Sequence, residues 1–130
     1  MKTYLIDDDI ISNFIAEKAL SDEHFADEIV AFQSAEKALE VIKKEKPDNV
    51  PDVIFLDLNM PEMNGWGFLD ALEPFKHELR DNCRIYILTS SLDVADTARS
   101  KDYDLVYGLL HKPLDHEDVR MVLSDLGNQA

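Results

Sequence analysis

A chain of 130 residues, 45% hydrophobic and 31% charged, has the size and composition of one globular domain that can bury a core without disulfides or a structural metal. A formal charge of −14, from 13 basic and 27 acidic residues, argues against nucleic-acid backbone binding, where clustered Lys and Arg supply most of the affinity, so a macromolecular partner is expected to be protein, not DNA. The single cysteine, Cys83, excludes an internal disulfide, and the chain opens with neither a long uncharged apolar stretch nor a signal-peptide pattern, which predicts a cytoplasmic protein with no membrane insertion.

The first apolar run predicts a strand over about Tyr4–Ile6 and ends in three carboxylates, Asp7, Asp8 and Asp9. Ile11, Phe14, Ile15 and Lys18 then share a helical face, which predicts a first helix lying on the sheet through those residues. A strand over Ile29–Phe32 and a second helix with Ala35, Ala38, Leu39 and Ile42 on one face follow. Pro47-Asp48-Asn49-Val50-Pro51 reads as a loop, because two prolines bracket polar turn formers. The third strand, Val53–Leu56, runs into Asp57. The third helix begins near Trp66, which is expected to pack there, and uses Phe68, Leu69 and Leu72. Pro74 has no amide for a helix interior, so a break or kink is expected there, with a further turn through Leu79. The fourth strand, Ile85–Leu88, leads into Thr89-Ser90-Ser91, and Asp93 is placed to cap a short fourth helix. The fifth strand, Val106–Leu110, leads into His111-Lys112-Pro113, and Asp115 is placed to cap a fifth helix with Val119, Val122, Leu123 and Leu126 at i, i+3, i+4 and i+7.

Short, near-continuously apolar strands alternating with helical stretches predict an α/β fold: a doubly wound, five-stranded parallel sheet with helices on both faces. In such a sheet ligands bind beyond the carboxyl ends of the strands. An acid pair, a lone aspartate, a hydroxyl and a lysine are predicted to share that edge. Carboxylates gathered at one place repel one another, and Mg²⁺ takes one or two carboxylates together with water and phosphate oxygens, so Mg²⁺ is the expected ion. His24, His77, His111 and His116 show no metal-binding spacing.

Four motifs in order, LIDDD from Leu5, IFLDLNMPEMNG from Ile54, ILTSS from Ile87 and LLHKP from Leu109, span nearly the whole chain. Together they resemble the receiver domain of bacterial two-component response regulators. The resemblance implies a flavodoxin-like (βα)5 fold and one receiver domain over residues 1–130 without an effector domain. It implies Asp57 as phosphoacceptor, with Lys112 and Thr89 on the phosphoryl oxygens. It further implies Mg²⁺ held by Asp8, Asp57 and the Asn59 backbone carbonyl, and by Asp7 through water. Asp9 lies beyond the matching pair and is read as opening the first helix, where acids suit the macrodipole. The implied donor is a sensor histidine kinase or a histidine phosphotransfer protein, and the implied output is a changed surface for a downstream protein target. Catalysis would be confined to the protein's own phosphorylation and dephosphorylation.

The resemblance also implies a cis Lys112–Pro113 peptide, and Gly65 is expected at positive φ before the third helix. The family carries an aromatic three residues before the lysine, where this chain has Leu109. Tyr103 and Tyr107 are the nearby aromatics, and simple strand alternation puts Tyr107 on the side of Leu109. The output face is expected on the fourth helix, fifth strand and fifth helix. Asn59 and Ser91, at the positions that modulate phosphoryl lifetime in the family, are small and polar, which predicts appreciable self-dephosphorylation. Two other readings share parts of this pattern. Haloacid-dehalogenase-type phosphatases use an aspartyl nucleophile with Lys, Thr or Ser and an acid pair around Mg²⁺, but place the nucleophile after the first strand and the acid pair late. A phosphorylation-independent pseudo-receiver would keep the fold without the chemistry, whereas all five expected site residues are present here.

Overall fold

The computed structural model describes residues 1–46, 48–91 and 93–127. Five strands form one parallel sheet: β1 (Lys2–Ile6), β2 (Glu28–Phe32), β3 (Val53–Asp57), β4 (Arg84–Thr89) and β5 (Val106–His111). Their order across the sheet is β2-β1-β3-β4-β5, so the chain winds outward in one direction and then in the other. β3 is buried along its whole length, as a central strand covered on both faces must be.

Helices α1 (Ile10–Asp22) and α6 (His116–Gly127) cover one face with a core of Leu5, Leu20, Phe25, Phe55, Tyr86, Val119 and Val122. Helices α2 (Ala35–Glu45) and α3 (Gly65–Leu72) cover the other, packing Leu39, Ile42, Phe68, Leu69 and Leu72 on Ile54, Leu56, Ile85 and Ile87. Pro74 ends α3 as expected: residues Glu73–Phe75 form a 3-10 turn that runs into the single turn α4 (Lys76–Leu79). Helix α5 (Val94–Ser100) corresponds to the predicted fourth helix and α6 to the fifth.

The capping residues act as their chemistry predicts. Asp93 accepts from the Ala95 and Asp96 amides. Asp115 accepts from the Asp118 amide at 2.8 Å, and Asp118 reaches back to the Asp115 amide. Asp9 opens α1 by accepting from the Ile11 amide at 2.9 Å. Of the predicted Pro47–Pro51 loop, Pro47 lies outside the described residues.

Three expectations are corrected. The face of α1 carrying Ile11, Phe14, Ile15 and Lys18 does not lie on the sheet. Asn13, Ala16, Ala19 and Leu20 do, while Ile10, Ile11, Phe14 and Ile15 are 66%, 69%, 67% and 43% exposed. The buried stripe is built mostly from small residues, which let the helix approach the strands closely. Gly65 has no positive φ; Glu62 does, at 66°. Position 65 needs glycine for space, since a Cβ there would sit 2.6 Å from the Asp57 carbonyl oxygen. Tyr107 does not share a side with Leu109. The register jumps between Ile85↔Val106 and Tyr86↔Gly108, so Tyr107 is the extra residue of a bulge and its ring lies against the Arg84 guanidinium, 4.7 Å away.

Candidate functional site

The parallel register brings the carboxyl ends of β1, β3, β4 and β5 to one edge. Asp57 is the last residue of β3 and Thr89 the last of β4, while Asp7 and Asp8 directly follow β1 and Lys112 directly follows β5. Backbone bonds lock this edge: the Asp7 amide donates to the Phe32 carbonyl at 3.0 Å, and the Lys112 amide to the Thr89 carbonyl at 2.8 Å.

One carboxylate oxygen from each of Asp7, Asp8 and Asp57 lies within 4.8 Å of the others, with Asp7 and Asp57 buried and Asp8 exposed. Lys112 bridges two of them, its Nζ 2.6 Å from Asp7 and 3.2 Å from Asp57. The Asp9 amide also donates to Asp7, at 2.9 Å. Burial, followed by the charge of Asp7, raises the Asp57 pKa above its ordinary value, although Lys112 and the Asn59 amide pull the other way. For Lys112 burial opposes the charge, but the hydrogen bond to Asp7 and the charges of both aspartates outweigh it and its pKa is raised. Lys112 therefore stays cationic at neutral pH. Three converging carboxylates opposed by one lysine leave an excess of negative charge and of hard oxygen donors, a donor set that fits a divalent cation such as Mg²⁺.

The Thr89 hydroxyl is buried and engaged with the loop after β4, donating to the Ser91 carbonyl at 3.1 Å and accepting from the Ser91 amide at 3.2 Å. Asn59 is exposed two residues beyond Asp57. The Lys112–Pro113 peptide is cis, as the resemblance implied. Sequence reasoning missed Asn13. Its buried side chain donates to the Asp7 carbonyl at 2.9 Å and to the Phe32 carbonyl at 3.4 Å, tying the ends of β1 and β2 together beneath the acidic site. The available signal was an asparagine in register with Ala16 and Ala19, at i+3 and i+6, on the small-residue stripe of α1.

The model of the response regulator receiver domain matches residues 4–124. The chain belongs to the response regulator receiver domain family. Its fold is similar to a two-component response regulator from Cytophaga hutchinsonii at 28% identity and TM-score 0.89, over 98% of this chain and 96% of that one. It is similar to a response regulator receiver protein from Dyadobacter fermentans at 28% identity and TM-score 0.85, over 96% of each chain. It is also similar to the Vibrio cholerae chemotaxis protein CheY4 at 25% identity and TM-score 0.77, over 95% of this chain and 96% of that one. Receiver domains are signalling modules of two-component systems, generally non-enzymatic, and typically bind Mg²⁺ at an acidic pocket such as this one. Among the described residues no helix is long and apolar enough to cross a membrane.

Proposed function

We propose that this protein is a cytoplasmic receiver that takes a phosphoryl group onto Asp57 from a phosphohistidine of a sensor histidine kinase or a histidine phosphotransfer protein. The observation that carries this reading is the convergence of Asp7, Asp8, Asp57 and Lys112 at one strand edge. An oxygen of the Asp57 carboxylate attacks phosphorus as the P–N bond breaks. The bonding pair stays on the imidazole nitrogen, and the product is an acyl phosphate on Asp57. Such transfer depends chiefly on positioning and on neutralising charge on the equatorial oxygens. Lys112 supplies one charge already held at the site, and the Thr89 hydroxyl donates to another phosphoryl oxygen once it turns from Ser91. Asp8, Asp57 and the Asn59 carbonyl would hold Mg²⁺ directly, with Asp7 acting through water; the ion supplies two further positive charges to the phosphoryl oxygens.

The exposed apolar face of α1 borders this edge, and Ile10, Ile11, Phe14 and Ile15 form a contiguous surface of the kind that marks a protein contact. We assign it to the phosphodonor, which must bring its histidine to Asp57. The surface of α5, β5 and α6 serves the downstream target. Small polar side chains at Asn59 and Ser91 leave the acyl phosphate open to water, in line with appreciable self-dephosphorylation.

The test is incubation with acetyl phosphate and Mg²⁺, followed by intact mass. A labile phosphoryl adduct is expected, absent in Asp57→Asn and in EDTA. No adduct from acetyl phosphate or from a phosphohistidine donor would sink the reading in favour of a pseudo-receiver.

A further inference from the structure

Helix α5 is loosely held. Of its seven residues, Val94–Ser100, only Ser100 is buried, and Val94 is 87% exposed. Elements with so few buried contacts open at low free energy. Besides its packing on β5, α5 is fastened to the body by a cluster around Trp66, the chain's single tryptophan. The Arg99 guanidinium lies 4.5 Å from the centre of the Trp66 ring. Tyr103, just past α5, stacks on the same indole with centroids 5.8 Å apart and planes at 27°, and its hydroxyl donates to Asp70 of α3 at 2.6 Å.

The two halves of this clasp differ in rigidity. Trp66 follows Gly65, whose backbone packs closely on Asp57 and whose amide donates to the Leu58 carbonyl at 3.0 Å, so the backbone that carries the indole is tied to the end of β3. Arg99 and Tyr103 belong to the segment that begins at Ser91, and Ser91 is held by both hydrogen bonds of the Thr89 hydroxyl. When that hydroxyl donates to a phosphoryl oxygen on Asp57, its donor bond to Ser91 is given up, and the loop leading into α5 loses an anchor. Leu109, only partly buried against the same core as Tyr103, offers no aromatic for a readout along β5, and the bulge sends Tyr107 to Arg84.

We propose that the Trp66–Arg99–Tyr103 clasp holds α5 on α3 in the resting protein and releases it when a phosphoryl group occupies Asp57. This rests on the phosphoacceptor reading above. It makes Arg99 and Tyr103 positioning residues for the output surface, and it requires reciprocity: whatever weakens the clasp must strengthen binding of a phosphoryl group, because both act on one equilibrium.

Trp66 is a built-in probe. Addition of beryllium trifluoride with Mg²⁺, a noncovalent stand-in for the phosphoryl group, is expected to red-shift its emission and raise its quenching by acrylamide, with no change in Asp57→Asn. Arg99→Ala is expected to show the shifted emission before addition and to bind beryllium trifluoride about two- to fivefold tighter, the factor that an exposed cation–π contact contributes. Tyr103→Phe, which keeps the stack and loses the bond to Asp70, is expected to move affinity the same way by less. Arg99 is exposed, and Phe keeps the ring of the partly buried Tyr103 against the core, so unfolding does not mask the result. An acetyl phosphate adduct seen by mass, with Trp66 emission and quenching unmoved, overturns the clasp while leaving the phosphoacceptor reading intact. Unchanged beryllium trifluoride affinity in Arg99→Ala overturns it too. Absence of any adduct overturns both.

Discussion

Helices α1 and α2 flank the same edge of the sheet, on opposite faces, and treat their apolar residues in opposite ways. α2 buries its stripe of Ala35, Ala38, Leu39 and Ile42, opens with the Ser34 side chain accepting from the Lys37 amide, and places Lys43 and Lys44 in its last turn, where cations suit the dipole. α1 buries Asn13, Ala16, Ala19 and Leu20 and leaves Ile10, Ile11, Phe14 and Ile15 in solvent. The contrast separates two placements of the same chemistry: apolar surface on α2 stabilises the fold, whereas on α1 it stays in solvent beside the acidic site, where the proposed phosphodonor would meet it. A helix that leaves its large side chains in solvent must be held by other means, and α1 is held by close packing of small residues and by the Asn13 side-chain amide.

The contrast can be broken at several points. The largest effect is expected from Ile42→Ala, which removes buried volume from α2 and should cost about 3 kcal/mol in denaturant unfolding, while leaving the acetyl phosphate reaction of the folded fraction unchanged. Asn13→Ala strands the Asp7 carbonyl in the interior and should cost about 1–3 kcal/mol, and unlike Ile42→Ala it should also slow adduct formation, because Asp7 loses its tether. An equal slowing by Ile42→Ala would erase the distinction between the two helices. Phe14→Ala should leave stability within about 0.5 kcal/mol of the parent. Its transfer rate from a phosphohistidine protein should fall about tenfold, as loss of a moderate contact does, with the acetyl phosphate rate unchanged. A loss of stability without loss of transfer would return that face to the core.

The smallest expected effect sharpens the electrostatic side. Burial and then the charge of Asp7 raise the Asp57 pKa, so the folded, metal-free protein binds that proton more tightly than the unfolded chain does. Its contribution to stability is present below the ordinary carboxylate range and is lost as pH rises through the raised folded value. Adduct formation needs the ionised acceptor and should fall once the pH is low enough to protonate Asp57 in the presence of Mg²⁺, which a pH series of initial rates by intact mass would show. Lys112 works in the same sense at higher pH: its raised pKa gives stability that is fully present below its ordinary value of 10.5 and is lost as pH rises through the folded one.

Sequence made the strands and their ends legible because each buried run is interrupted by a polar residue where the chain leaves the sheet. Asp57, Thr89 and Lys112 were therefore found by position before any geometry was known. The caps Asp9, Asp93 and Asp115 were legible for a similar reason, since short polar side chains compete for free amides at helix starts. The face of α1 was not, because both of its sides carry apolar residues at helical spacing, and hydrophobicity alone ranks Ile and Phe above Ala. What decides is how near a helix must come to the strands. Tyr107 was misplaced by a single bulged residue, which period-two alternation cannot anticipate. Gly65 was read as a demand on backbone angle when the demand is on space.

The strand order carries a consequence for how the protein is made. The carboxylates stand at the ends of the first and third strands, but Lys112, their one counter-charge among the described residues, follows the fifth, and its bond to Asp7 spans 105 positions of the chain. A nascent chain that has emerged only through β4 therefore holds Asp7, Asp8 and Asp57 with no lysine among them. Domains are synthesised from the amino terminus, and contacts of long sequence separation form last. Charge balance at this edge thus arrives together with completion of the sheet, so on the proposed phosphoacceptor reading an unfinished molecule lacks the lysine that the transfer uses.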